Sequence, residues 1–389
     1  MTQQFEVAVL GLGGFGSACL YHLALRGIPV VGLDQFPRAH RFGSSHGQTR
    51  IIRQAYFEHP DYVPLLKTAY SLWHDLEAAS GQSLSRWTGL MLCGPAESQA
   101  VQGARLSAER YGIPIENLGQ SDAARRFPGF RIPHDFDAVF EPGAGILFPE
   151  ACVSAHLALA ERNGAQIQTE SRVLDWSEND SGIEIRTESG TISAKQLIVT
   201  SGAWGMHRLR QPHLQILRKS QIWFGTAASS YRADAGCPAY FFELPEGEFY
   251  GFPSLDGKTL KVAEHSGGEP LNNPSTLDRT MLAHDWPRLS EFVRQHLPDV
   301  SPRVEHHSIC MYTMSPDGHF IVDRHPDFSR VVVGLGFSGH GFKFCSVIGQ
   351  ALTDLAVNGE TDHPIDFLRL HRFAQDMTGS TDVSSVEPA

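Results

Sequence analysis

Phe5-Glu-Val-Ala-Val-Leu10-Gly11-Leu-Gly13-Gly14-Phe-Gly16 is the stretch that decides the fold. Six residues of near-continuous apolar character read as a buried strand, and the glycines follow at once. In a strand-to-helix connection the first glycine makes the tight turn, the second lets backbone amides approach a pyrophosphate at the helix N-terminus, and the third lets helix and strand pack closely. Phe15 to Arg26 reads as that helix, with Gly27 placed to end it, and Val30-Val-Gly-Leu33-Asp34 as a second strand. The short connections of this βαβ unit favour a parallel sheet. Asp34 lies about 20 residues after Gly11, where an acid accepts hydrogen bonds from an adenosine ribose. Gly11, Gly13, Gly14, Gly16 and Asp34 therefore predict a dinucleotide site.

Further along, Tyr62 to Ser80 carries Leu65, Leu66, Ala69, Leu72, Trp73 and Leu76 on one helical face. From about Leu84 the texture turns to short strands and turns rich in Gly and Pro. A helix returns around Ala151 to Asn163, Gly182 to Ser193 alternates as a hairpin, and Gln196 to Gly202 reads as a buried strand ending in a glycine turn. The segment 216–315 is again strand-like, with a helical stretch near Leu289 to Leu297. Val331 to Gly334 is then a strand and Lys343 to Leu355 a helix. Nucleotide-type βα pieces thus occur at the start, middle and end of the chain. The fold class expected is mixed α/β: a discontinuous Rossmann-like dinucleotide-binding domain (1–83, 150–215, 316–378) interleaved with a substrate domain on a mixed β-sheet (84–149, 216–315), and a loose tail at 379–389.

The 389 residues, 41% of them hydrophobic, supply a large core, and disorder or a small disulfide scaffold is excluded. A net charge of −11, with the bases scattered, argues against nucleic acid as a partner. The six cysteines form no CxxC pair and no Cys/His cluster at zinc spacing, so no metal is expected. No apolar run approaches the ~20 residues of a membrane helix, and the N-terminus shows no leader-like segment. A cytoplasmic protein is the expectation.

The choice of dinucleotide turns on the loop after the second strand. Arg38 to Arg53 is long, polar and basic rather than a third βα step, which favours FAD over a nicotinamide cofactor.

Four blocks resemble one family. They are Ser44-Ser-His46-Gly-Gln-Thr-Arg50-Ile-Ile-Arg53-Gln-Ala-Tyr56, Tyr250-Gly-Phe-Pro253, Cys310-Met-Tyr312-Thr-Met-Ser-Pro316-Asp317 and Gly336-Phe-Ser-Gly339-His340-Gly-Phe-Lys343-Phe. In this order they resemble the monomeric sarcosine oxidase and N-methyltryptophan oxidase family. The resemblance implies an FAD-dependent oxidase of secondary amino acids that opens the C–N bond through an imine and reduces O2 to H2O2. For an N-methyl substrate the products would be formaldehyde and the primary amino acid. It further implies a covalent 8α-S-cysteinyl link at Cys310, with Cys345 as packing. The substrate carboxylate would rest on Arg53 and Lys343 beside Tyr312 and Tyr250. Lys261 would assist oxygen, because a cation stabilises the charge that develops as O2 takes an electron. Arg50 and His265 would lie at the flavin face. Ser44, Ser45, His46, Thr49, Gly339, His340, Gly341 and Lys343 itself would contact the cofactor. The partners expected are a small-molecule substrate and O2, and the chain is expected to be a monomer.

The pair Gly267-Gly268 and the acid Glu264 stand where sarcosine-specific members have bulkier residues, which suggests a roomier pocket. Two rivals remain: a flavin dehydrogenase with another electron acceptor, and a dinucleotide-binding regulatory protein without turnover.

Overall fold

In the computed structural model, which describes residues 3–209 and 212–373, strand Gln3–Leu10 lies inside an eight-stranded sheet. It pairs in parallel with Val30–Leu33 on one side and with Gly190–Val199 on the other. Gln166–Gln168 extends the parallel set beyond Val30–Leu33, and Val331–Leu335 adds to Gly190–Val199. The hairpin arm and the buried strand expected separately on either side of Lys195 form one continuous strand. Its first half pairs antiparallel with Gly182–Thr187, and its second half runs beside Val331–Leu335.

Helices Gly14–Leu25, Pro149–Arg162 and Cys345–Val357 pack together beside this sheet, with Val63–Ser80 against the last two. Small residues set how close they come: a Cβ on Gly349 would lie 2.5 Å from Ala18 Cβ. Leu20, Leu23, Leu66, Trp73, Ile348 and Leu352 are almost wholly withdrawn from water. Each side chain of this size contributes about 1.5–3 kcal/mol when fully buried.

A nine-stranded sheet forms the second layer, in the order Glu269–Leu271, Gln215–Gly225, Thr259–Glu264, Gly247–Gly251, Ala239–Leu244, Leu90–Pro95, Phe136–Glu141 and Glu116–Gly119; Val304–Met314 also pairs with Gln215–Gly225. One of its faces buries an aromatic core that includes Phe130, Tyr240, Phe242, Phe249 and Phe292, closed by helix Pro287–His296. A small third sheet joins Arg50–Ile52, Gly145–Leu147 and Ser85–Arg86.

One expectation is corrected. The region after Leu84 also holds two helices, Gln99–Tyr111 and Gln120–Arg126. The first is capped by Ser98, whose Oγ accepts from Val101 N, and ends at Gly112 with φ +65°. Its buried face is Ala100, Val101, Ala104, Ser107 and Ala108, small side chains without the large Leu and Trp residues that mark Val63–Ser80. That smallness is what the packing needs, since a Cβ on Gly103 would lie 2.5 Å from Phe57 O. The tail expected at 379–389 lies outside the described residues. No described helix is long and apolar enough to cross a membrane.

Candidate active site

The glycine turn is held from both sides. Gly11 adopts φ +92°, donates to Leu33 O at 2.8 Å and accepts Thr200 Oγ1 at 2.9 Å. A Cβ on Gly16 would lie 1.8 Å from Gly11 O, so helix and turn approach as only glycine allows. Asp34 accepts Leu12 N at 2.7 Å on one oxygen and Phe36 N at 2.9 Å on the other, which ties the glycine turn to the end of the second strand. Ser45 Oγ accepts Gly14 N at 3.0 Å at the helix N-terminus.

From this turn a single long cavity runs to the second sheet. Gly11, Gly13, Gly14 and Asp34 belong to its lining, as do Ser44, Ser45, Arg50, Arg53, Tyr250, His265, Tyr312, Gly339, His340, Gly341 and Lys343. Gly16, His46, Thr49, Lys261 and Cys310 stand behind this lining rather than in it.

Loop 46–58 carries most of the charge, and two carboxylates shape it. Glu150 accepts Gly47 N at 2.7 Å, and the buried Glu141 accepts Gln54 N at 2.7 Å and Ala55 N at 3.0 Å. Between them Lys261 reaches in from the second sheet. Its Nζ donates to Gly47 O at 2.7 Å, to Thr49 O at 3.2 Å and to Thr49 Oγ1 at 3.4 Å. Burial, then the Arg50 guanidinium, presses its pKa well below the ordinary lysine range.

Arg53, Lys343 and Lys261 are 4%, 6% and 3% exposed, so none is a solvated surface cation. Arg53 donates to Glu58 at 2.5 Å and to Ala55 O at 3.2 Å, and its guanidinium lies 4.2 Å from the Tyr56 ring centre and 4.1 Å from that of Phe57. Lys343 Nζ donates to His340 O at 2.8 Å and lies 5.2 Å from the same Tyr56 ring. Burial, then Arg53, brings Lys343 down to about 7. For Glu58 burial acts upward, but Arg53, His340 and Lys343 outweigh it and hold the carboxyl at about 2.

Three histidines here are made less basic by burial. Burial pushes His265 and His46 down to about 3 and His340 to about 4. His340 Nε2 meets Gly318 O at 3.0 Å and its Nδ1 meets Tyr56 Oη at 2.5 Å, which fits an Nε2–H tautomer accepting from the tyrosine. His265 Nδ1 lies 3.4 Å from Tyr312 Oη. Cys310 Sγ lies 3.7 Å from Arg50 Nη2, at the wall made by Ser44, Arg50 and Met311.

The family described as FAD dependent oxidoreductase matches residues 6–355. The chain belongs to this family. This FAD-dependent oxidoreductase is 37% identical to monomeric sarcosine oxidase of Bacillus sp. (strain B-0618), over 96% of this chain and 97% of that one. It is 33% identical to N-methyl-L-tryptophan oxidase of Yersinia pestis (strain Pestoides F), over 95% and 99%. Among solved structures, NikD, described as an unusual amino acid oxidase essential for nikkomycin biosynthesis, superposes with a TM-score of 0.84 at 24% identity, covering 95% of this chain and 98% of that one. Glycine oxidase from Geobacillus kaustophilus gives 0.80 at 20% identity, covering 95% and 99%. These two show the fold: a Rossmann-like body with a second sheet above it.

The residues of this FAD-dependent oxidoreductase fit the cofactor. The backbone cradle at Gly11–Gly14 opens into the cavity, and a Cβ on Gly13 would meet nothing nearer than Ser45 Oγ at 3.5 Å, so the space above that backbone is free for a ligand. Further along, Gln221 belongs to the lining, and its buried Oε1, turned toward Gly47, has no hydrogen-bond partner among the described residues, an acceptor that an ordered water would satisfy. Sequence reasoning passed over Gln221, Tyr56 as the ring shared by two cations, and Glu58 as the partner of Arg53. The only local signal for the last was an acid five residues after an arginine.

Proposed function

We propose that this FAD-dependent oxidoreductase is an oxidase of N-methyl and other secondary amino acids. Support comes from the relatives named monomeric sarcosine oxidase and N-methyl-L-tryptophan oxidase and, most directly, from the two buried cations Arg53 and Lys343 set against one ring, Tyr56. A carboxylate removed from water needs such a charged, hydrogen-bonding partner.

When bound, FAD supplies the redox chemistry: it takes two electrons from the C–N unit and returns them to O2, which becomes H2O2. Arg53 and Lys343 hold the substrate carboxylate at the end of the cavity. The neighbouring cations disfavour the protonated amine, so the substrate nitrogen keeps its lone pair for expulsion of hydride from the adjacent carbon. His265, neutral beside Tyr312, packs near this nitrogen without adding charge. Arg50 lies between the cavity and Cys310, the side chain we assign to the covalent 8α-S-cysteinyl attachment. Lys261, behind loop 47–49, supplies the oxygen-side donor. The imine released adds water and collapses to an aldehyde and an amine, which for an N-methyl substrate are formaldehyde and the primary amino acid.

The same reading takes the parallel sheet with its helices as the cofactor domain and the nine-stranded sheet as the substrate domain, in a monomeric, cytoplasmic enzyme. It is tested by incubating the purified holoprotein with sarcosine and a panel of N-methyl amino acids and measuring O2 uptake, H2O2 and formaldehyde. Equimolar peroxide and formaldehyde are expected. Bleaching of the flavin by substrate in air without peroxide would make it a dehydrogenase instead.

A further inference from the structure

A second cavity, ≈ 440 Å³, adjoins the first across His265 and Tyr312, which line both. Its other walls include Gly267, Gly268 and Glu248. A Cβ on Gly267 would meet nothing nearer than Glu264 Oε1 at 3.8 Å, so the glycine leaves space rather than filling it.

Glu248 is placed by register. In strand Gly247–Gly251 it shares a face with Tyr250, which lines the first cavity, while Phe249 between them turns into the aromatic core. Its backbone oxygen accepts His265 N at 2.7 Å, so Glu248 sits beside His265, which follows directly on the neighbouring strand Thr259–Glu264. Two residues on one strand face are about 7 Å apart, the reach of a four-carbon side chain with a terminal ammonium.

The charges around this cavity are otherwise committed. Glu264 is paired with Arg288 at 2.8 Å. Lys219 Nζ donates to three carbonyls of the 265–267 loop, at 3.2, 2.6 and 2.9 Å. Among the described residues no hydrogen bond or ion pair reaches the half-buried Glu248 carboxylate. Burial, then Glu243 and Glu58, raises its pKa against the smaller opposite pull of Lys219 and Arg53, and a cation brought into contact would favour its ionised form.

We infer that the second cavity receives the side chain of the substrate and that Glu248 selects amino acids whose side chain ends in a cation. The inference rests on the N-methyl amino acid oxidase reading and deepens it: the substrate lies with its carboxylate on Arg53 and Lys343 and its distal cation on Glu248.

The test compares Nα-methyl-L-lysine with Nα-methyl-L-norleucine, which has the same four-carbon side chain with the ammonium replaced by hydrogen, in wild type and in Glu248→Gln, each normalised to sarcosine. The expected result is a kcat/KM at least about ten-fold higher for the lysine derivative in wild type, and loss of most of that ratio in E248Q. Equal rates, a preference for norleucine, or a ratio unmoved by E248Q overturns the inference. Anaerobic calorimetry of wild-type holoprotein with L-lysine and L-norleucine decides the pocket without turnover: tighter lysine binding supports it, and equal binding, none, or the reverse overturns it. Absence of peroxide from sarcosine and from every N-methyl compound would sink the oxidase reading alone, and the calorimetric comparison would still stand.

Discussion

The Arg50 guanidinium lies 3.7 Å from Cys310 Sγ, although the two residues are 260 positions apart. The guanidinium donates to the sulfur and so fixes its position at the wall of the cavity, where the attachment we propose would form. Cys310→Ser is therefore expected to release all flavin on acid precipitation, and Arg50→Met to lower the fraction that stays with the protein. Absorbance of precipitate and supernatant, with mass spectrometry of the Cys310 peptide, measures both. Full retention in C310S would remove Cys310 from the role.

Lys343 introduces a pH dependence. With burial and Arg53 lowering it to about 7, its ammonium is present below that pH and lost above it. Binding of a simple carboxylate such as propionate is expected to weaken about ten-fold as the pH rises from 6 to 8, following loss of one charge. Lys343→Arg keeps its charge throughout and should flatten the profile. Flavin absorbance changes on titration report the affinity, and identical profiles for the two proteins would refute this use of Lys343.

Glu58 and Arg53 form a pair that is costly to halve. Glu58→Gln leaves a buried guanidinium without its counter-ion, and a loss of about 3 kcal/mol of stability is expected. A bound carboxylate replaces the missing charge, so propionate should raise the melting temperature of E58Q more than that of wild type. In wild type the pair's contribution is complete above the ordinary carboxyl value of 4.5 and is lost as the pH falls toward 2. Thermal melts with and without ligand across pH 2–6 measure all three effects.

Two glycines of one motif separate folding from cofactor binding. Gly16→Ala forces a Cβ within 1.8 Å of Gly11 O and 2.6 Å of Thr200 Oγ1, and soluble folded protein is expected to be lost. Gly13→Ala has 3.5 Å to Ser45 Oγ, so the chain folds but the added methyl stands in the phosphate cradle and FAD content falls. Circular dichroism and flavin-to-protein absorbance ratios distinguish the two outcomes.

Strand, glycine turn, helix and Asp34 were readable because each rests on contacts within the βαβ unit: apolar runs, the φ +92° of Gly11, and an acid within hydrogen-bonding reach of Leu12 N. The same local signals marked helices Val63–Ser80 and Cys345–Val357, which bury large apolar side chains such as Leu65, Leu66, Trp73, Ile348 and Leu352. They failed for Gln99–Tyr111, where alanines and a serine make the buried face, and for Gly190–Val199, whose change of partner half-way along no local pattern records. The site divides in the same way. Which residues carry charge is written in the chain, and motif resemblance singled out Arg50, Arg53, Lys261 and Lys343. That Arg53 is held by Glu58, that Lys261 reaches loop 47–49 from 214 residues away, and that Glu248 stands beside His265 with no hydrogen bond or ion pair to its carboxylate among the described residues were decided only by tertiary packing. Periodicity and turn chemistry report a residue's near neighbours, whereas the burial and partners of a charge depend on which distant strands the fold brings against it.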